Sequence, residues 1–188
     1  MIYLYSKDKK EVKISINKPD IVIQSYPEYI DGWTVDTLDK CYNILDIESS
    51  KKLSALYYDA LLLEIPRKFI THGYNVERED ILEFLDSKLK TLGLNHYERN
   101  QFIVNWVKVL MENDYTHIYF ETDQEVISRI TTGIEVVPKP DKLYQIRLLF
   151  ESCDKDDTYE EQQLDSIDRK GFTVIDINAN TVDIKGIH

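Results

Sequence analysis

One stretch, residues 73–120, constrains the fold more than any other part of this 188-residue chain. Its first part predicts a helix over residues 76–92, which Asn75 begins as the N-cap residue and Gly93 ends just beyond the C-cap. Apolar residues at helical spacing predict one buried face along this helix: Ile81, Leu85, Leu89 and Leu92.

A second helix is predicted over residues 96–112, after a link of about two residues. Asn95 and Glu98 have the spacing of a capping box, in which each side chain bonds to the backbone of the other residue. Apolar residues surround most of this helix and include Trp106, so we expect it to be the most buried helix with Trp106 in the core. From Tyr115 onward polar and apolar residues alternate, which predicts a strand.

Strands are predicted on both sides of the helix pair. Residues 1–70 contain short alternating runs separated by turn signals, as half-buried strands do. The later part, residues 115–185, predicts further elements in this order: strands at 115–121, 126–137 and 143–150, an acidic loop at 151–168, and a final hairpin of 172–177 with 181–184. The sequence therefore predicts an α+β fold, with antiparallel β-sheets packed on a central helix pair at residues 75–112, in one domain of residues 1–188.

Charge and hydropathy argue against two classes of partner. The net charge of −11 and the pI of about 4.8 repel a phosphate backbone, so we expect no nucleic-acid partner. No apolar run approaches the roughly 20 residues of a membrane span. The first residues also lack the pattern of a signal peptide, because their apolar stretch is short and charged residues follow at once. We therefore expect a soluble protein, in the cytoplasm or in a virus particle rather than secreted.

Sequence motifs of cofactor and metal chemistry are absent. Neither GxGxxG nor GxxxxGK followed by Ser or Thr occurs, and HExxH and GxSxG are missing as well. The two cysteines, Cys41 and Cys153, are far apart in the sequence and belong to no cluster of Cys and His. We therefore expect no metal and no cofactor, while the two thiols either stay reduced or pair across the fold.

The first candidate site is on the strand that follows the second helix. His117 shares one face of this strand with Tyr119 and Glu121, and also with Tyr115. Such a face can bind a ligand or supply acid–base chemistry. The plainer interpretation is a half-exposed strand face with ordinary aromatic packing.

The second candidate site is an aromatic group near the N-terminus. Trp33 follows a turn signal, and Tyr26 and Tyr29 are close to it in sequence. These three side chains are candidates for an exposed aromatic surface that binds a ligand such as a carbohydrate.

Short blocks of residues, distributed over nearly the whole chain, also carry a family resemblance. The blocks are Tyr3-Leu4-Tyr5, Lys10 to Ile14, Tyr26-Pro27, Gly32 to Val35, Glu79-Asp80, Phe84-Leu85, Leu92-Gly93-Leu94, Glu98, Phe102-Ile103, Trp106, Met111, Asn113, Ile118-Tyr119-Phe120, Pro138 to Asp141 and Arg169 to Val174. Through them the chain resembles a group of uncharacterised bacterial proteins, often lipoproteins or secreted, with no established biochemical function. The resemblance implies a shared fold and no catalytic residues, and it favours a strand over a helix at residues 55–65.

The function expected from the sequence is that of a non-enzymatic protein-interaction or structural protein. Its partner would be another protein or a second copy of the chain, as in a virus particle or another assembly. Two alternatives stay open. One is a metal-free enzyme that uses His117 with Tyr119 and Glu121, and the other is a carbohydrate or cell-surface binding module around Trp33.

Overall fold

A computed structural model describes residues 1–38 and 44–182 of the chain. The strands in this part are β1 (Ile2–Tyr5), β2 (Glu11–Ile16), β3 (Val22–Tyr26), β4 (Trp33–Thr37), β5 (Ile44–Asp46), β6 (Lys52–Leu53), β7 (Tyr57–Ala60), β8 (Tyr74–Glu77), β9 (Tyr115–Glu121), β10 (Ile134–Val137), β11 (Lys142–Ser152) and β12 (Thr173–Thr181). The helices are α1 (Arg67–Thr71), α2 (Ile81–Thr91), α3 (His96–Leu110) and α4 (Gln124–Ile130). The predicted α+β class with antiparallel sheets is confirmed.

The chain forms two compact units, each assembled from three segments. The first unit comprises residues 1–64, 122–146 and 169–177. Its larger sheet has the strand order β10-β2-β4-β5-β6, while β1 pairs with β12 and β3 pairs with β7. Alternate residues of these strands face a shared apolar core that includes Trp33.

The second unit comprises residues 65–121, 147–168 and 178–188, of which 178–182 are described. Its central strand β9 pairs antiparallel with β8 on one side and with β11 on the other, so β8 forms an edge of the sheet. The predicted β part at residues 115–185 thus contributes to both units. The prediction of one domain over residues 1–188 stays a prediction.

The first predicted helix begins later than the sequence indicates. Asn75 is not an N-cap residue, because residues 74–77 form β8 and pair with β9. A 3-10 turn, Arg78–Asp80, leads into α2, and the prediction of an N-cap at Asn75 is therefore wrong. Gly93 does have the positive φ expected after a C-cap, at +84°.

The second predicted helix is capped as expected but is less buried. Asn95 and Glu98 form the capping box, with bonds of 3.0 and 2.8 Å between side chain and backbone. Phe102 is fully buried, but Val104 is 66% exposed and Trp106 is half-buried. The prediction that α3 is the most buried helix is wrong, because apolar residues also lie on its solvent-facing side.

Three later predictions of strands are right only in part. Of the predicted strand at 126–137, residues 134–137 form β10. Residues 124–130 instead form α4, because the Asp123 carboxylate caps the helix by accepting from two backbone N–H groups. In the predicted hairpin, β12 includes most of the first strand and continues without a turn to residue 181, while residues 183–184 lie outside the described residues. Of the predicted strand at 55–65, residues 57–60 form β7.

The capping box offers a direct test of this local structure. Replacing Asn95 with Ala removes the acceptor of the Glu98 N–H, and we expect a loss of about 1 kcal/mol in the free energy of unfolding. The matched control is Asn100→Ala, at an exposed position within the same helix, where Ala has the higher helix propensity and no loss is expected. Urea unfolding measures both. Equal losses in the two variants would contradict the role of the cap.

Candidate functional site

The structure places the predicted group around His117 inside the second unit. His117 has no exposed surface, and its ring lies between Phe69, at 4.4 Å, and Tyr159, at 3.7 Å with a 2° angle between the ring planes. Tyr119 and Glu121 are also buried, and the Tyr119 hydroxyl donates to Glu121 Oε2 at 3.3 Å. The three residues are thus on one face of β9, but the prediction that this face is half-exposed is wrong.

The buried imidazole of His117 is held as a neutral ring. Its Nε2 lies 3.0 Å from the carbonyl oxygen of His72, so Nε2 carries the proton and donates it to that carbonyl. Its Nδ1 has no hydrogen-bond partner in the part of the chain that the structure describes, and Glu151 Oε1 is 3.6 Å away. Burial lowers the pKa of His117, although the His72 carbonyl and Asp157 oppose this, and burial raises the pKa of Glu151.

Two other reactive side chains close to this ring are likewise not activated. Burial, reinforced by the charge of Asp157, raises the pKa of the Cys153 thiol to about 11. Burial also raises the pKa of Tyr159. A nucleophilic thiol requires a lowered pKa, so Cys153 is in the wrong environment for catalysis. Its Sγ instead donates to Asn75 Oδ1 at 3.3 Å, while Cys41 lies outside the described residues.

The predicted aromatic surface around Trp33 is mostly interior. Trp33 is only 2% exposed, and its Nε1 donates to the Pro27 carbonyl at 3.0 Å. Tyr29 meets it edge-on, with the ring centroids 4.8 Å apart, and the Tyr29 hydroxyl accepts from the Ile16 N–H. Tyr26 is half exposed. The prediction that Trp33 is exposed is therefore wrong, and these rings do not form a coplanar platform for a sugar.

An open cleft of about 630 Å³ lies beside the edge strand of the second unit. We call it the β8 groove. Residues 73–77 form one side of it, and residues 157–159 with Glu161 form another. One face of α2 and the residue before it complete the lining: Asp80, Glu83, Phe84, Ser87 and Lys88.

Asn75 fixes the loop that forms one wall of the β8 groove. Its carboxamide Nδ2 donates to three loop carbonyls, those of Asp154, Lys155 and Asp157, at 2.9, 3.2 and 2.9 Å. A side chain expected to cap a helix is thus used to hold a loop against the edge strand.

Gly73 lets the backbone just before β8 approach β9 closely. Its φ is +137°, and a Cβ placed there would lie 2.5 Å from His117 Nε2 and 2.6 Å from the Ile118 carbonyl oxygen. Its N–H donates to the Glu160 carbonyl at 2.9 Å. Only glycine combines this conformation with this proximity.

The register of β8 shows which of its backbone groups face away from β9. The Arg78 N–H donates to the Asp114 carbonyl at 2.9 Å, immediately after the four paired residues of β8. Hydrogen-bonded and non-hydrogen-bonded pairs alternate along an antiparallel ladder. Every second residue counted back from Arg78, beginning with Val76, therefore bonds to β9, and the backbone groups of Asn75 and Glu77 point to the outer side.

The outer side of β8 is open over those two residues. At the beginning of the strand, Glu160 covers the edge through the bond from Gly73. Residues 1–38 and 44–182 provide no backbone hydrogen bond to the outward N–H groups of Asn75 and Glu77 or to the outward Asn75 carbonyl. The Glu77 carbonyl differs, because Glu77 is the N-cap of the 3-10 turn and its carbonyl accepts the first bond of that turn. Both residues line the β8 groove, so the two N–H groups and the Asn75 carbonyl, which have no backbone partner, face the cleft.

Carboxylates dominate the charge of the β8 groove. Its lining carries one ammonium group, that of Lys88, and five carboxylates: Glu77, Asp80, Glu83, Asp157 and Glu161. Three aromatic rings also line it, those of Tyr74, Phe84 and Tyr159. The lining of the groove therefore combines acidic groups with aromatic rings.

Neither metal nor membrane features add to this site. The described residues contain no group of three or more His, Cys, Asp or Glu side chains placed to hold a metal ion. Over the same residues, no helix combines the length and the apolar character needed to cross a membrane.

Comparisons with known proteins add no relative. A scan of protein-family models, a search of curated proteins and a search of solved structures found no match to this chain. The resemblance to uncharacterised bacterial proteins stays a prediction.

The residues that line the β8 groove were not among the candidates predicted from the sequence. A usable signal was present, because Tyr74 and Val76 alternate with Asn75 and Glu77, as in a strand. Glu77, Glu79 and Asp80 nevertheless favour the start of a helix, because negative charge is stabilised in the first helical turn. No sequence pattern predicts the contact between Tyr159 and His117, because the two residues are distant along the chain.

The buried imidazole predicts a pH-dependent stability. The unfolded state gains a proton as the pH falls through the ordinary His pKa of 6.5, whereas the folded state, with its lowered pKa, gains it only at lower pH. The free energy of unfolding of the wild type should therefore decrease as the pH is lowered from about 7.5 to about 5.5. In His117→Phe, which keeps an aromatic ring in the stack, the fall should be smaller.

Urea unfolding at each pH tests this prediction. Glu151 has the opposite effect, because its raised pKa favours the folded state as the pH falls toward 4.5. The comparison with His117→Phe, which keeps Glu151, therefore isolates the contribution of the imidazole. Parallel stability curves for the wild type and His117→Phe would show that His117 does not titrate in this way.

Removal of the Asn75 carboxamide should loosen the loop wall. Asn75→Ala deletes the donor to three loop carbonyls, so we expect a loss of about 1–2 kcal/mol in unfolding free energy. Amide hydrogen exchange of residues 153–161 should become faster than in the matched variant Asn100→Ala. Unchanged exchange in this loop would mean that Asn75 does not hold it.

Proposed function

We propose that this chain is a non-enzymatic protein-interaction protein that binds an extended segment of another protein along the outer edge of β8. The observation that carries the proposal is the pair of outward N–H groups of Asn75 and Glu77, together with the Asn75 carbonyl, which face an open groove. An extended peptide that adds a strand to a sheet edge gains main-chain hydrogen bonds from such groups.

The shape of the β8 groove supports this mode of binding. An edge strand and residues of the helix α2 line the same cleft, so a peptide in it can bond to the strand and place side chains against the helix. The volume of about 630 Å³ is within the range of ligand-binding clefts. Phe84 and Tyr159 supply apolar surface for the side chains of the segment.

Another edge strand of the chain, β1, is covered where β8 is open. In the first unit, the outer edge of β1 is closed at Ile2, which exchanges two backbone hydrogen bonds with Leu56, at 2.8 and 3.0 Å. Exposed edges are commonly covered in this way because they otherwise pair with other chains. The edge at Asn75 and Glu77 is not covered in this way, and of the two edges it alone lies beside the β8 groove, which favours a binding role.

A second copy of the chain is the less favoured partner at this edge. Two copies paired through β8 would bring two sets of five groove carboxylates together, and like charges in an interface oppose association. An enzyme that uses His117 is also disfavoured, because Tyr159 covers the buried imidazole on the side of the groove.

The variant Glu77→Pro tests strand addition with little effect on the fold. The φ of Glu77 is −69°, close to the value that proline imposes, and its N–H is on the outer side and makes no ladder bond. The preceding residue, Val76, is in a strand, which proline tolerates. The substitution should therefore remove the outward donor, and urea unfolding should give a stability within about 1 kcal/mol of the control.

The control is Glu77→Gln, which also lacks the carboxylate but keeps the N–H. Peptides selected from a random octapeptide display library on the wild type should bind Glu77→Pro at least about tenfold more weakly than Glu77→Gln. Equal binding to the two variants, or a library without any enriched peptide, would overturn the proposal. A dimer in light scattering that Glu77→Pro abolishes would assign the edge to a second copy instead.

A further inference from the structure

The β8 groove already contains one bound cation, which belongs to the chain itself. Lys88 Nζ lies 4.2 Å from the centre of the Tyr74 ring and 5.9 Å from that of Phe84. It also donates to Glu161 Oε1 at 2.9 Å. We call Tyr74, Phe84 and Glu161 the cation seat, because together they provide two ring faces and a carboxylate for one ammonium group.

The cation seat has a defined shape of its own. The rings of Tyr74 and Phe84 meet at 5.0 Å with a 63° angle between their planes, and the Tyr74 hydroxyl donates to the Gln162 carbonyl at 2.9 Å. Burial acts to lower the pKa of Lys88, but the bond to Glu161 and the contact with Tyr74 outweigh it and raise that pKa. The seat therefore favours a positive charge.

The remaining carboxylates of the groove extend this preference along its length. Lys88 is the only ammonium group among the lining residues, and its nearest carboxylate is Glu161. Four more line the groove: Glu77, Asp80, Glu83 and Asp157. The field of a groove lined in this way attracts a positively charged segment and repels an acidic one.

We infer that the segment bound along β8 is basic, and that one of its Lys or Arg side chains replaces Lys88 in the cation seat. This inference rests on the proposed function, since it names the kind of segment that adds to β8. The partner is thus an extended, basic stretch of another protein.

Replacement of Lys88 is compatible with the contacts it makes. The Lys88 side chain reaches the seat from α2, and its carboxylate partner Glu161 is 68% exposed. Surface ion pairs of this kind contribute little to stability. An incoming cation makes the same contacts with the rings and the carboxylate, while the partner's backbone adds the strand hydrogen bonds that Lys88 cannot provide.

Two labelled peptides test the charge preference by fluorescence anisotropy. The probes are acetyl-(Lys-Thr)₄-amide and acetyl-(Gln-Thr)₄-amide, which have the same length and the same β-branched residues. The basic peptide should bind the wild type at least about tenfold more tightly at low salt, and this advantage should shrink as salt is added. Equal binding of the two peptides would overturn the inference.

Two matched variants test the cation seat itself. Lys88→Ala vacates the seat, so the basic peptide should bind about fivefold more tightly, because it no longer competes with an internal cation. Lys90→Ala makes the same change in net charge at an exposed position of α2 outside the groove, and should change the affinity less than about twofold. Equal changes in peptide affinity for the two variants would mean that only net charge matters, and would contradict binding of the peptide in the cation seat.

The two proposals fail in different ways. If library peptides bind and discriminate Glu77→Pro from Glu77→Gln, but are not basic, strand addition stands and the inference about a basic partner is wrong. If the basic peptide binds without discriminating these two variants, the charge preference stands and strand addition is wrong.

Discussion

Burial of β9 on both faces is the constraint on which the second unit depends. Six of its seven residues are buried, so each polar side chain on it needs a partner inside the protein. His117 meets this requirement through the His72 carbonyl and through the rings on either side of it. One of those rings, Tyr159, also lines the β8 groove. The packing of a buried strand therefore fixes the position of a ring at the surface.

The central position of β9 also makes β8 an edge strand, and the surroundings of β8 limit what can pair with it. The helix α2 lies on one side and the loop held by Asn75 on the other, while Glu160 closes the beginning of the strand. A single extended chain in the cleft can pair with the strand and contact both the helix and the loop. The same walls that make the edge selective protect it from uncontrolled pairing between sheets.

Local signals in the sequence predict local structure well, and the contacts that build the site are not local. The Asn95 capping box, the positive φ of Gly93 and the α+β class follow from residues a few positions apart. The role of Asn75 does not follow from nearby residues, because its partners are loop carbonyls about 80 residues further along the chain. The burial of His117 and Trp33 likewise depends on tertiary packing, which strand alternation alone does not reveal.

The acidic character of the β8 groove connects the composition of the chain to the segment it would bind. A net charge of −11 by itself says only that the protein repels other acidic molecules. Five of the chain's carboxylates lie around the open strand edge, so we expect a local preference for basic chains there. Exchange of Lys88 for a partner's cation leaves the contacts of the seat nearly unchanged. Selectivity then arises from the other four carboxylates, so affinity depends on how many basic residues the segment carries.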